Sequence, residues 1–218
     1  IAFSPDGRRI YVSEANRSVY VAGLEDDLYR WVDHIDFPGP KGKRDPSAPG
    51  GLALSADGNT LYVCLSRNNA LAVVDLQSKK TRTIPVGVAP YDVLLSPDGR
   101  TAYVANWGGR LPKKGEPTSF TSGSPILVNP RTGIASNGTV SVVDLRAGRE
   151  VRQIEVGLHP CGMAMDVGGT HLFVANANSD LVSVIDLASG RVVEQINVRM
   201  DPSLPFGSAP NALALTRD

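Results

Sequence analysis

The sequence has little sulfur and little aromatic character. Of 218 residues only two are cysteines, and Phe, Trp and Tyr together make up 6 %. Cys64 and Cys161 fall at non-equivalent points of the repeat described below, so no planned disulfide is expected and both read as small buried residues. No apolar run approaches the ~20 residues that a membrane span requires. An excess of charge of one sign is also missing. The 22 Lys+Arg balance 22 Asp+Glu, which argues against a general nucleic-acid or membrane-surface protein but not against a local patch. His34, His159 and His171 are isolated in sequence, with no His-x-x-x-His and no Cys-x-x-Cys, so no metal site and no cofactor is expected. Neither Gly-x-Ser-x-Gly nor a glycine-rich phosphate loop occurs. The chain opens at Ile1 inside one repeat and stops inside another, so it reads as a piece of a longer protein.

Glycine and proline, by contrast, are plentiful, at 22 and 16 residues, which suits many turns between short strands. The dominant feature is an internal repeat. Ile1-Ala-Phe-Ser-Pro-Asp-Gly7 precedes Ile10-Tyr11-Val12. Gly51-Leu-Ala-Leu-Ser-Ala-Asp-Gly58 precedes Leu61-Tyr62-Val63. Val93-Leu-Leu-Ser-Pro-Asp-Gly99 precedes Ala102-Tyr103-Val104-Ala105-Asn106. Met163-Ala-Met-Asp-Val-Gly-Gly169 precedes Leu172-Phe173-Val174-Ala175-Asn176, and a further copy begins at Ala212. The phase points Ser4, Ser55, Ser96, Asp166 and Thr216 are 51, 41, 70 and 50 residues apart. The 41-residue step is the bare unit and the others carry insertions.

The bare unit holds four short segments rich in Val, Leu, Ile and Tyr: 51–54, 60–64, 70–75 and 81–86. Pro-Asp-Gly is a tight turn with glycine where φ is positive, and Asp-Leu-x-x-Gly-Arg closes a second hairpin at Asp144–Arg149 and Asp186–Arg191. Four antiparallel strands in about 40 residues make one propeller blade. No window keeps a 3.6 period, which excludes a helical solenoid. The expected fold is all-β, a β-propeller of four-stranded antiparallel blades with about four blades visible. Its repeats are 1–48, 49–89, 90–159 with an insertion at 107–138, 160–209, and the start of another at 210–218.

The pattern Ser-Pro-Asp-Gly-Arg, Tyr-Val-x-Asn and Val-Ser-Val-Ile-Asp-Leu-x-x-Gly-Arg-Val-Val resembles the YVTN (surface-layer-type, YncE-like) β-propeller repeat family. The runs Asn106–Arg110, Asn129–Thr139, Gly157–Pro160 and Leu204–Asn211 resemble, more narrowly, bacterial proteins that join such a propeller to a C-terminal phosphoesterase domain. The resemblance implies seven blades, of which the chain would hold a fragment. It also implies a periplasmic, cell-surface or secreted location, and a role in binding or scaffolding. Any phosphoesterase activity would belong to a separate domain. Lactonase-like and quinoprotein-type propellers are the enzymatic alternative, and single-stranded nucleic-acid binding is a third.

Strand alternation sorts the connections onto two faces. The Pro-Asp-Gly and Asp-Leu-x-x-Gly turns share one face. Every long connection, at Pro38–Pro49, Trp107–Gly138 and Arg199–Ala209, falls on the other, where binding sites on rigid scaffolds concentrate. These three loops carry eight basic and three acidic residues, so a positive face and an anionic small molecule are expected. Each innermost strand should follow a proline: Pro49, Pro90, Pro160 or Pro210. Tyr91, Asp92, His159 and Asn211 would then rim the channel, with Trp107 and Arg110 able to stack on or clamp a ligand and Lys113 and Lys114 nearby. Other expected partners are a phosphoesterase domain and the remaining blades of the propeller. Only Tyr91, Trp107 and Phe120 offer stacking platforms among the basic loops, which disfavours nucleic acid. Asn106 and Asn176 read as turn-formers, Asp75, Asp144 and Asp186 as turn caps, and the acidic run from Glu25 to Asp36 as a solvated outer strand.

Overall fold

The computed structural model describes residues 1–201, 203, 205 and 207–216. Leu204 and Phe206, in one of the runs quoted above, and the final Arg217 and Asp218 lie outside the described residues. Four four-stranded antiparallel sheets follow one another along the chain. The first is β1 (Ala2–Phe3), β2 (Arg9–Ser13), β3 (Ser18–Glu25) and β4 (Leu28–Asp36). The second is β5 (Pro49–Leu54), β6 (Thr60–Leu65), β7 (Ala70–Asp75) and β8 (Thr81–Pro85). The third uses β9 (Val88–Leu95), β10 (Thr101–Gly109), β13 (Gly138–Asp144) and β14 (Arg149–Val156), with the separate hairpin β11 (Thr118–Thr121) and β12 (Ser124–Leu127) inserted between β10 and β13. The fourth is β15 (Pro160–Met165), β16 (His171–Asn176), β17 (Leu181–Asp186) and β18 (Arg191–Asn197).

The turn chemistry explains these hairpins. Ser4, Ser55 and Ser96 donate their hydroxyls to Asp6, Asp57 and Asp98 at 2.5–2.6 Å. The glycine that follows each aspartate, like Gly169 in the fourth sheet, has φ between +64° and +70°, where a Cβ is disfavoured. At the other hairpin the carboxylates of Asp75, Asp144 and Asp186 accept the backbone N–H of Ser78, Ala147 and Ser189 at 2.6–2.8 Å, as expected of caps.

The core is not inside any one sheet but between neighbours. Tyr11 and Val21 pack with Leu61, Val63 and Val74. Tyr62 and Val73 pack with Val93, Val104 and Val143. Tyr103 and Ile154 pack with Met163, Val174 and Ile185. The second and third sheets therefore pack on both faces, and the fourth strands are left largely wet: β4 is exposed along nearly its whole length.

Two sequence expectations change. Asn106 and Asn176 are both fully buried. Asn176 does open a turn, its carbonyl accepting the Ser179 N–H and its amide donating to Val174 O and Leu181 O, whereas the Asn106 amide turns to side chains instead of backbone. Their side-chain amides donate to the Thr139 and Ser141 hydroxyls and to the Ser183 hydroxyl at 2.8–3.1 Å. Gly87 and Gly157 lie directly on them: a Cβ at either would come within 2.6 Å of the asparagine side chain. Second, the insertion begins later than residue 107. β10 runs on through Trp107 to Gly109, which pairs with Val88. Gly108 lets this extension pass beneath the insertion, because a Cβ there would sit 2.7 Å from Ile126 and 2.8 Å from Val88. The insertion closes a small core of its own from Ile126, Val128 and Ala135 over Val88 and Ala89.

Candidate functional site

A proline stands at or near the start of the innermost strand of the second, third and fourth sheets, and another at Pro210. The residue before each takes the left-handed conformation, Ala48, Ala89, His159 and Ala209 having φ between +42° and +53°. The strain is repeated, so the fold holds it deliberately. Asn69 accepts the N–H of Ala89, and Asp180 that of Ala209, both at 3.0 Å. Three of the four positions carry alanine. The fourth carries His159, and its ring is stacked on Trp107, with centroids 4.2 Å apart and 16° between planes. Trp107 in turn stacks on Tyr91 at 5.6 Å and 23°. The three rings form a continuous row on the loop face, with Trp107 in the middle. Trp107 donates its indole N–H to Cys161 Sγ at 3.3 Å. Both cysteines are free and buried.

The row leaves particular surfaces accessible. Tyr91 is 40 % exposed, while Trp107 and His159 are half-buried. Burial holds the His159 imidazole below its ordinary pKa, partly offset by a hydrogen bond with Asn178. Burial likewise raises the Tyr91 hydroxyl and the Cys161 thiol. The row is therefore neutral near pH 7: an apolar platform with polar edges.

Asp92 stands beside this row but points its carboxylate into the structure. One oxygen accepts its neighbour's Val93 N–H at 2.9 Å, and the other accepts Met163 N–H of the next blade at 3.0 Å. Burial raises its pKa and these two bonds oppose the rise. Gly51 occupies the matching place one blade earlier, where a Cβ would lie 2.6 Å from Asp92 Cα. Asp92 thus ties two innermost strands together. Asn211 is exposed, and its carbonyl accepts the N–H of Gly162 at 3.0 Å.

Arg110 is already paired. It grips Glu116 through both guanidinium nitrogens at 2.7 and 2.8 Å, and that grip, helped by the Lys113 N–H, pushes Glu116 down to about 2. The resulting tight turn displays Lys113 and Lys114 to solvent. Among the described residues neither lysine has a salt bridge, and the same holds for Lys41, Lys43, Arg44 and Arg131 on the other loops of this face. Asp45 is bound to Arg67 at 3.4 Å. With its two main acids committed to internal pairs, the face keeps six uncompensated cations. No group of three or more potential metal ligands converges among the described residues.

No family model matches the chain. Antigen Lp49 of Leptospira interrogans is 25 % identical over 183 residues, covering 81 % of this chain and 35 % of that protein. Among solved structures, Kuenenia stuttgartiensis hydrazine synthase superposes with a TM-score of 0.66 at 27 % identity, over 89 % of this chain and 47 % of that one. The β-propeller domain of Myceliophthora thermophila Cps50 (Swd1) gives 0.64 at 14 % identity, over 99 % and 58 %. The fold is a β-propeller. The chain spans about a third of the curated relative and roughly half of the solved chains.

Three features of the site escaped sequence reasoning. The sequence pointed to Tyr91, Trp107 and His159 separately, but not to their stacking. That stacking depends on the extra length of β10 and on a histidine where the propeller elsewhere has alanine, which is the one signal that could have revealed it. The locking of Arg110 by Glu116 and the inward turn of Asp92 left no such signal.

Proposed function

We propose that this propeller is a binding and scaffolding unit that takes an anionic ligand or partner on its loop face. The observation that carries the reading is the Tyr91–Trp107–His159 row lying on a face whose six cations form no salt bridge among the described residues. An apolar stacking platform bordered by free positive charge suits a partner with a flat or apolar body and negative groups. The repeat pattern supports membership of the YVTN, YncE-like group, and with it an exported protein in which the propeller presents or docks a phosphoesterase domain. The word antigen in the name of the Leptospira relative agrees with a location outside the cytoplasm.

The binding half is tested with defined probes. With Trp31→Phe, Trp107 is the single fluorescent indole. Dextran sulfate should then change its emission in a saturable way, while neutral dextran does not. Affinity should fall steeply between about 50 and 300 mM salt, and Lys113→Ala with Lys114→Ala should weaken it several-fold. Salt-independent binding, or an unchanged double variant, would remove the charged face from the mechanism.

A further inference from the structure

The three seams between described blades differ at one point. The fourth-strand residue opposite Val21, Val73 or Val142 is Asp33 in the first blade, Arg82 in the second and Arg152 in the third. Each arginine reaches across its seam. Arg82 donates to Leu145 O at 3.3 Å and Arg152 to Ser189 O at 2.9 Å. Each lies over a turn glycine, where a Cβ at Gly148 or Gly190 would come within 3.0 or 2.1 Å of the guanidinium. In the first seam the arrangement is reversed. The turn residue is Lys79, held at φ +57°, and its ammonium reaches back to Asp33 at 2.6 Å.

The short Asp33 side chain leaves unfilled the space that an arginine spans elsewhere. Two clefts meet there, of about 350 and 600 Å³, and share Arg9, Tyr11 and Val32. The smaller is walled by Val21, Ile35, Val74 and Leu76 and closed by the Lys79–Asp33 pair. Arg9 is exposed, and its guanidinium makes no ion pair or hydrogen bond among the described residues. The Tyr11 hydroxyl likewise has no partner among them. The outer cleft is fringed by Asp6, Glu25 and Asp57 as well as by Arg8, and the Ser55 hydroxyl pushes Asp57 down to about 2, so it is ionised.

We infer that this seam binds a small amphipathic carboxylate, its head on Arg9 and Tyr11 and its hydrocarbon chain in the inner cleft. The volume suits a small ligand. Arginine grips a carboxylate through two nitrogens. The carboxylates of the fringe repel a single negative charge less than the two of a phosphate monoester. The seam is separate from the loop face, so this inference stands whatever the fate of the proposed function.

The test is calorimetric titration of the full chain at about pH 8. Octanoate should bind saturably at one site, and octanol, octylamine and octyl phosphate at least tenfold more weakly. Arg9→Gln, a change of an exposed side chain, should weaken octanoate tenfold or more. Asp33→Arg with Lys79→Gly rebuilds this seam in the form of the other two and should abolish binding without lowering the melting temperature. Failure of octanoate to saturate, equal binding of octylamine or octyl phosphate, or wild-type affinity in Arg9→Gln would each overturn the inference.

Discussion

At the scale of single residues, two side chains near the aromatic row have opposite work. His159 is held neutral by burial, below its ordinary pKa of 6.5. A histidine whose pKa falls on folding binds its proton more weakly in the native chain than in the unfolded one. Its contribution to stability is therefore full above its unfolded value and is lost as pH falls towards the folded value. The melting temperature should drop between about pH 7 and pH 5, and His159→Ala should flatten that drop; a parallel profile in the variant would show that His159 does not titrate in this window. Asp92 instead acts through its two acceptor oxygens. Asp92→Ala strands the N–H groups of Val93 and Met163 and should lower unfolding free energy by about 1–3 kcal/mol in urea denaturation. A loss well below that would mean water replaces the carboxylate.

At the scale of elements, the Gly–Asn contacts at Gly87 and Gly157 are close joints that leave no room for a methyl. A methyl added at Gly157 meets the Asn176 side chain at 2.6 Å, so Gly157→Ala should destabilise by about 1–3 kcal/mol through overpacking. The same change at the solvent-facing Gly133, where nothing lies within 4 Å, strains only a φ of +69° and should cost about 1 kcal/mol; equal losses at the two sites would count against the packing explanation. The insertion is a second joint. Ile126→Asp should unseat β11 and β12 from Val88 and Ala89, so that limited proteolysis cuts within 110–137 first while the four blades stay folded. The four-strand unit and its turns were readable in advance, because Ser-x-Asp-Gly and Asp-Leu-x-x-Gly each carry their own local hydrogen bonds. The burial of Asn106 and the length of β10 were not readable, because both depend on glycines that matter only through a neighbour distant in sequence: Gly87 above the amide, and Gly108 beneath Ile126.

At the scale of the whole molecule, stability resides in the seams, since each core lies between two sheets. Truncating one seam contact should loosen two blades at once. Leu61→Ala, a fully buried residue of the first seam, should lower stability by about 2–5 kcal/mol, and amide exchange should quicken in β3 as well as β6; quickening confined to β6 would show blades that unfold independently. The repeats look alike in sequence, yet the seams are keyed. A gene in which the second repeat was copied beside itself would bring Arg82 against Lys79, two cations where the present order sets an arginine over a glycine. The third repeat placed after the first would leave Asp33 facing Gly148 with no cation to meet. The blades are therefore not interchangeable bricks, and their order is written into one side chain at each junction.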